Sequence, residues 1–382
     1  MLVIEQYNSL FSIYMYLLMV LPAVILGFLG KKSKILNFLI SAVMIVLLMG
    51  AGTLQFWEFI AFLIGELVII TCYFFVKKKT NNEIVYTIFF ILSIVPLAAI
   101  KICGITPIAN YVGFVGVSYI CFKVWEVLIQ IHDEKIENYS FFEMVSFLTF
   151  APALSSGPIA RYQSYQDEYK NADNYCNDYF IPGIKNIVLG AFYKFSLAFL
   201  INEYVISACE DHSFGYTVLY MYAYTFYLFF DFAGYSLLAI GTGRLMGVKL
   251  PDNFDKPFLS RHPKEFWERW HMSLSKWFND FLFSRIVLNG MRKKIFKSPK
   301  TASRVAYLCT MLVMGFWHGL FVHYILYGLY HGVLLILTDI WIKSKTFRNV
   351  KKMKYYDLVS RFICFHIIAF GMLIFSGHII PV

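Results

Sequence analysis

Residues 10–29 read LFSIYMYLLMVLPAVILGFL, twenty residues without a charge. At ~1.5 Å per residue a helix of that length covers ~30 Å, the thickness of a bilayer's hydrocarbon core. Glu5 is the only charge before the run, and Lys31, Lys32 and Lys34 follow it. No basic segment precedes it and no small-residue cleavage site closes it, so it reads as a retained span and not a removed signal. Comparable runs fall at 35–52, 54–76, 84–104, 110–131, 182–203, 216–246, 303–322, 323–342 and 358–380. The 382 residues are 59% hydrophobic and 15% charged, where a soluble domain carries about a quarter charged. The ~10-residue alternating segments of a transmembrane barrel are absent. The expected fold class is therefore an all-α polytopic membrane protein of about 10–11 spanning helices. It is read as one membrane-embedded domain over 1–382, with N-terminal helices to 140, a broken element over 140–160 and a core over 180–382.

The net charge of +10 is clustered. Basic loops stay cytoplasmic. Lys31, Lys32 and Lys34 are separated from Lys77, Lys78 and Lys79 by two spans, so both groups share one face and the N-terminus is expected outside. Further clusters are Arg292 to Arg304 and Lys343 to Lys354. The seven cysteines show no CxxC pair and no metal-ligand spacing, which leaves them as small apolar packers.

Two segments depart from plain spans. Residues 140–160 are apolar but broken by Pro152, Gly157 and Pro158. Irregular backbone at membrane depth survives only where protein or a water-filled cavity covers it, so a re-entrant or broken element is expected there. Residues 255–290 are too polar to span and too aromatic to be a free loop. Trp267, Trp270, His271, Leu274, Trp277, Phe278 and Phe281 recur at three- and four-residue steps, one face of an amphipathic helix. Lys264, Glu265, Glu268, Lys276 and Asp280 fall on the other side. Such a helix lies at the membrane interface. What that leaves unexplained is the histidine on its apolar face. His318 poses the same question within Gly315-Phe316-Trp317-His318-Gly319. Histidine takes and returns a proton near physiological pH, and burying one at a membrane is costly without work or a partner. Asp231, inside the apolar run Tyr222–Ile240, is a third such group. His331 reads as packing.

These residues carry a resemblance. Gly315–Gly319, the upstream Phe266-Trp267-Glu268-Arg269-Trp270-His271-Met272-Ser273-Leu274, and Phe230-Asp231-Phe232-Ala233-Gly234-Tyr235-Ser236, in this order, resemble the membrane-bound O-acyltransferases. The first span, Gly116-Val117-Ser118-Tyr119 and residues 147–162 are similar to the branch that transfers D-alanine to teichoic acids. Ala160-Arg161 departs from it, where an acidic residue is expected before the arginine.

The resemblance implies a bundle with re-entrant and interfacial helices around a central cavity. It also implies a reaction: D-alanine, held as a thioester on the phosphopantetheine arm of a cytoplasmic carrier protein, passes towards a hydroxyl of teichoic acid or of an intermediary membrane protein. No bound cofactor or metal is expected. His318 is the expected general base, with His271 orienting the acceptor or donating to the developing oxyanion. An acyl-enzyme on Ser273 or Ser275 is the less favoured route. Asp231, Tyr235, Ser273 and Trp317 are the candidate substrate-binding residues. Ile286-Val287-Leu288 with Arg292, Lys293 and Lys294 form an apolar centre and basic rim suited to an acidic carrier protein. Three other readings stay open: an acetyl or other short-acyl transferase for an exopolysaccharide, a polytopic transporter or channel, and a non-enzymatic scaffold for a cell-envelope complex.

Overall fold

Each early apolar run begins at a residue whose side chain satisfies an orphaned helix N–H. Ser9 accepts from Ser12 N–H ahead of α1 (Leu10–Phe28), Ser33 caps α2 (Lys34–Met49), Thr53 caps α3 (Leu54–Lys77) and Asn82 caps α4 (Glu83–Cys103). The structure is a computed structural model and describes residues 6–106, 113–170, 174–209 and 213–380. The later helices are α5 (Val117–His132), α6 (Phe141–Leu148), α7 (Tyr162–Asp167), α8 (Cys176–Ile206, with π turns), α9 (Phe214–Leu245), α10 (Pro263–Arg269), α11 (Met272–Phe278), α12 (Ser284–Arg292), α13 (Pro299–His318), α14 (Val322–Ile342), α15 (Lys345–Val350) and α16 (Tyr356–Ser376). Among the described residues the one extended pairing is an isolated antiparallel bridge between Phe254 and Trp270.

Seven helices among the described residues, α1, α3, α4, α8, α9, α14 and α16, are long and apolar enough to cross a membrane. The other three expected spans are helices that fall short, each for its own reason. α2 has 16 residues. α5 also has 16 and buries Lys123 and Glu126; residues 110–112 of that expected span lie outside the described residues. α13 opens on Lys300, Thr301, Ser303 and Arg304, which lower its hydropathy.

The chain folds as two compact units, Met1–Phe195 with Gly234–Pro251, and Ser196–Ala233 with Asp252–Val382. In the first, the segment 140–160 is broken as expected: α6 ends at Leu148, a short 3₁₀ turn covers Ala151–Ala153, and the backbone is irregular to 161. Its polar groups are met from within the unit. Lys123 Nζ donates to the Phe147 carbonyl at 3.2 Å and Gln6 Nε2 to that of Ala151 at 2.7 Å. Glu126 accepts the Tyr162 N–H at 3.0 Å and pairs with Arg161 at 3.6 Å. Side chains thus supply the partners that helical backbone would have found for itself.

In the second unit, α13 and α14 pack through small residues. A Cβ on Gly315 would lie 2.5 Å from the Tyr324 carbonyl oxygen, and one on Gly328 would lie 2.5 Å from that of Met311. Close helix approach of this kind depends on small residues. Gly328→Val should cost about 1–3 kcal/mol through overpacking. Thermal unfolding in detergent would show it, and an unchanged midpoint would mean that the helices can separate freely.

Candidate active site

The amphipathic stretch around His271 is not one helix. α10 stops at Arg269, Trp270 is extended, and His271 adopts φ 44° and ψ 53° before α11 starts at Met272. A left-handed conformation at a non-glycine residue costs about 1–3 kcal/mol and persists only where its surroundings hold it. Here they do. Asp255 N–H donates to the Arg269 carbonyl at 3.0 Å and Met272 N–H to that of Asn253 at 2.9 Å, on either side of the Phe254–Trp270 bridge. Three- and four-residue spacing continues across the joint, which is why the sequence reads as unbroken. Glu265 departs from expectation too. It is nearly buried, not on a solvated face, and accepts from Arg261 Nε at 3.1 Å and Arg269 at 3.0 Å. Burial pushes its carboxyl up, and the two arginines outweigh that and hold it below the usual range. Arg261 also pairs with Asp357 at 3.7 Å, at the start of α16.

The joint turns the His271 side chain into protein. It is 4% exposed, and the Phe232 ring meets it edge-on with centroids 4.7 Å apart. Its Nδ1 lies 3.3 Å from Asn253 Oδ1, which also accepts from Ser273 N–H at 3.4 Å and Ser273 Oγ at 2.6 Å. Its Nε2 is buried without a hydrogen-bond partner. Burial pushes the imidazole down to about 3, and the charge of nearby His318 pushes the same way.

His318 is the last residue of α13, half-buried, and Gly319 continues the chain extended. Aromatic rings surround it: Trp317 at 4.6 Å, Phe375 at 4.9 Å and Tyr324 at 5.9 Å between centroids. A cavity of about 480 Å³ lies in the same unit, lined by Lys264, Lys276, Phe283, Tyr307, Thr310 and Met314 among others. Met272, next after His271, also lines it, and Met314 is one turn before His318. The Thr310 hydroxyl in its wall is buried without a hydrogen-bond partner.

Other residues singled out in the sequence fall as follows. Asp231 is half-buried on α9, next to the Phe232 that touches His271. Ser273 shares the Asn253 amide with His271. Trp317 packs against His318. Tyr235, one turn after Asp231, belongs to the first unit, where its hydroxyl bonds to Ser155. α12 carries Ile286 and Val287 half-buried and Leu288 at 68% exposure, with Arg292, Lys293 and Lys294 exposed. His331 is fully buried, and its Nδ1 takes the Trp267 indole N–H at 3.4 Å, a packing contact. The sequence reading missed Asn253. It lies 18 residues before His271, and no local periodicity links the two.

Residues 84–377 match the MBOAT, membrane-bound O-acyltransferase family. The chain belongs to that family. It is an all-α, multi-pass MBOAT acyltransferase. It is 36% identical to the teichoic acid D-alanyltransferase of Streptococcus thermophilus, covering 98% of this chain and 95% of the relative. It is also 36% identical to the teichoic acid D-alanyltransferase of Bacillus subtilis, covering 97% and 98%. It is 32% identical to the probable alginate O-acetylase of Pseudomonas aeruginosa, over 58% of this MBOAT chain and 42% of the relative.

The buried histidine gives a pH dependence. Its pKa falls from 6.5 to about 3 on folding, so between those values the unfolded chain takes up a proton that the folded one refuses. The contribution to stability is complete above pH 6.5 and is lost progressively as pH falls towards 3. Melting curves from pH 7 to pH 4 should fall less steeply for His271→Gln than for the parent; parallel slopes would place the acid sensitivity elsewhere.

Proposed function

We propose that this MBOAT protein transfers D-alanine from a carrier-protein thioester to a hydroxyl acceptor, for D-alanylation of teichoic acids, with His318 as general base. The observation that carries the assignment is the contrast between its two histidines. His271 is enclosed and held neutral. His318 is half-open and ends a helix of 20 residues, where the helix dipole favours a positive charge. Of the two, His318 is suited to hold the proton in flight.

The chemistry then runs as an acyl transfer. The acceptor hydroxyl gives its proton to the His318 imidazole as its oxygen attacks the thioester carbonyl carbon. The carbon–sulfur bond breaks, the thiolate leaves and takes the proton from the imidazolium, and an ester and a free thiol result. General-base assistance of this kind contributes typically ~10²–10⁴-fold. The enzyme needs no bound cofactor, because the phosphopantetheine arm arrives on the donor. The cavity lined by Met272, next to His271, and by Met314, one turn before His318, also carries Lys264 and Lys276 among mostly apolar residues. This suits a phosphorylated, largely uncharged arm. Phe283 joins that cavity directly to α12, whose exposed Leu288 and basic rim suit an acidic carrier.

D-alanine is favoured over acetyl because the D-alanyltransferase relatives match along nearly their whole length, whereas the alginate relative does so over less than half of its own. The proposed setting is the plasma membrane of a Gram-positive-type bacterium, N-terminus outside, with the basic clusters cytoplasmic. The acceptor is teichoic acid or an intermediary membrane protein.

His318→Ala should lower D-alanyl transfer from a loaded carrier by at least about 10²-fold while the protein still assembles in membranes. Full activity in that variant would remove His318 from the chemistry, and consumption of acetyl donors alone would move the assignment to acetyl transfer. Separately, Leu288→Asp and the pair Lys293→Glu with Lys294→Glu should weaken carrier binding in pull-down or surface-binding assays. Unchanged binding would place the dock elsewhere.

A further inference from the structure

We propose that Asn253 is a positioning residue that fixes the His271 imidazole in the Nδ1–H tautomer, so that its Nε2 faces the reaction as a hydrogen-bond acceptor. The functional consequence rests on the reading above, that the two histidines carry the chemistry. The structural part stands on geometry alone.

Asn253 is 1% exposed, and its carbonyl oxygen is the common point of three contacts. The Ser273 backbone N–H, at 3.4 Å, can only donate. This orients the amide with Oδ1, not Nδ2, towards the group. The Ser273 hydroxyl at 2.6 Å then donates to the same oxygen. His271 Nδ1, at 3.3 Å from it, faces an atom that accepts and never donates. The ring's proton therefore sits on Nδ1 and the lone pair on Nε2. The partner of one ring nitrogen sets the state of the other. Nε2 is the atom of this ring that is buried without a protein partner.

The backbone of the same residue does the second half of the work. The Asn253 carbonyl takes the Met272 N–H at 2.9 Å, so one residue clamps the chain just past the left-handed joint and the ring that the joint presents. The tautomer also separates two roles for His271. A neutral ring with Nδ1 protonated cannot donate from Nε2 to an oxyanion. It can accept a hydrogen bond from another donor of the bound substrates, such as the ammonium of the D-alanyl group, while His318 receives the hydroxyl proton. His318 is the titratable group whose charge His271 senses.

The test combines solid-state NMR of ¹⁵N-histidine-labelled protein in lipid with transfer assays on the full chain. The His271 signals are assigned by their loss in His271→Gln. In the parent, His271 should show a protonated Nδ1 and a bare Nε2. In Asn253→Ala the ring should lose that preference and the rate should fall by between about 10- and 100-fold, as when the outer partner of a metal-bound histidine is removed. Asn253→Asp keeps the acceptor. It should retain the Nδ1 proton and recover part of the rate. Its acidic limb in the pH–rate profile should move upward, because a carboxylate favours the imidazolium. A proton on Nε2 in the parent would overturn the proposal. So would an Asn253→Ala protein with parental tautomer and rate. If Asn253→Ala fails to assemble, Asn253→Asp decides, and an unmoved acidic limb overturns the proposal. Full activity in His271→Gln would instead defeat the catalytic reading and leave the tautomer assignment intact.

Discussion

A single asparagine holds the candidate site in shape. Asn253 meets the chain at Met272, at Ser273 and at the His271 ring within one hydrogen-bond radius. The left-handed backbone at His271 opposes it, with a cost of about 1–3 kcal/mol. Net hydrogen bonds contribute about 0.5–1.5 kcal/mol each, so no one of these contacts offsets the strain with much to spare, whereas several acting together do. The joint and the clamp are therefore one device. Without the joint, α10 and α11 would run on as a single interfacial helix, and His271 would take its direction from helical geometry alone. With it, the ring points inward, against Phe232.

Around that device the two histidines have opposite surroundings. His271 is enclosed, and enclosure disfavours charge. His318 stands at a helix C-terminus, half-buried among aromatic rings, where the dipole tolerates a transient cation. Two like residues placed together would compete for a proton if their environments matched. Different environments separate their roles, a general device for acid–base sites.

The fold class was legible because bilayer thickness leaves a long, direct mark on sequence: an apolar run of twenty residues has few other uses. The break at 140–160 was visible through Pro152, Gly157 and Pro158, but its partners Lys123, Glu126 and Gln6 were not, since they arrive from distant parts of the chain. α5 and α13 show where hydropathy misleads. An apolar stretch that buries Lys123 and Glu126 inside protein is not a stretch facing lipid. His271 and His318 could be singled out because histidine in such surroundings is costly. The joint at His271 could not, because one left-handed residue preserves the apolar periodicity on both sides. Nor could Asn253, whose importance is created by the bridge that brings 253–255 against 269–272. Glu265 was placed on a solvated face by its charge, when Arg261 and Arg269 make its burial affordable.

The identity of residue 253 also bears on what kind of site this is. In hydrolases with a Ser-His-Asp triad, a carboxylate orients the histidine and stabilises the imidazolium that forms. Here an amide takes the orienting position. The amide fixes the same tautomer because the Ser273 N–H holds its oxygen towards the ring, but it offers no charge to a protonated ring, and burial without that charge leaves His271 neutral. In a site at a membrane, where an uncompensated charge is costly, this confines the mobile proton to His318. The neutral partner can then accept a hydrogen bond from the donor group and leave the hydroxyl proton to His318. On the proposed mechanism, the choice of asparagine over aspartate makes the two-histidine arrangement a base with a holder, and not two bases.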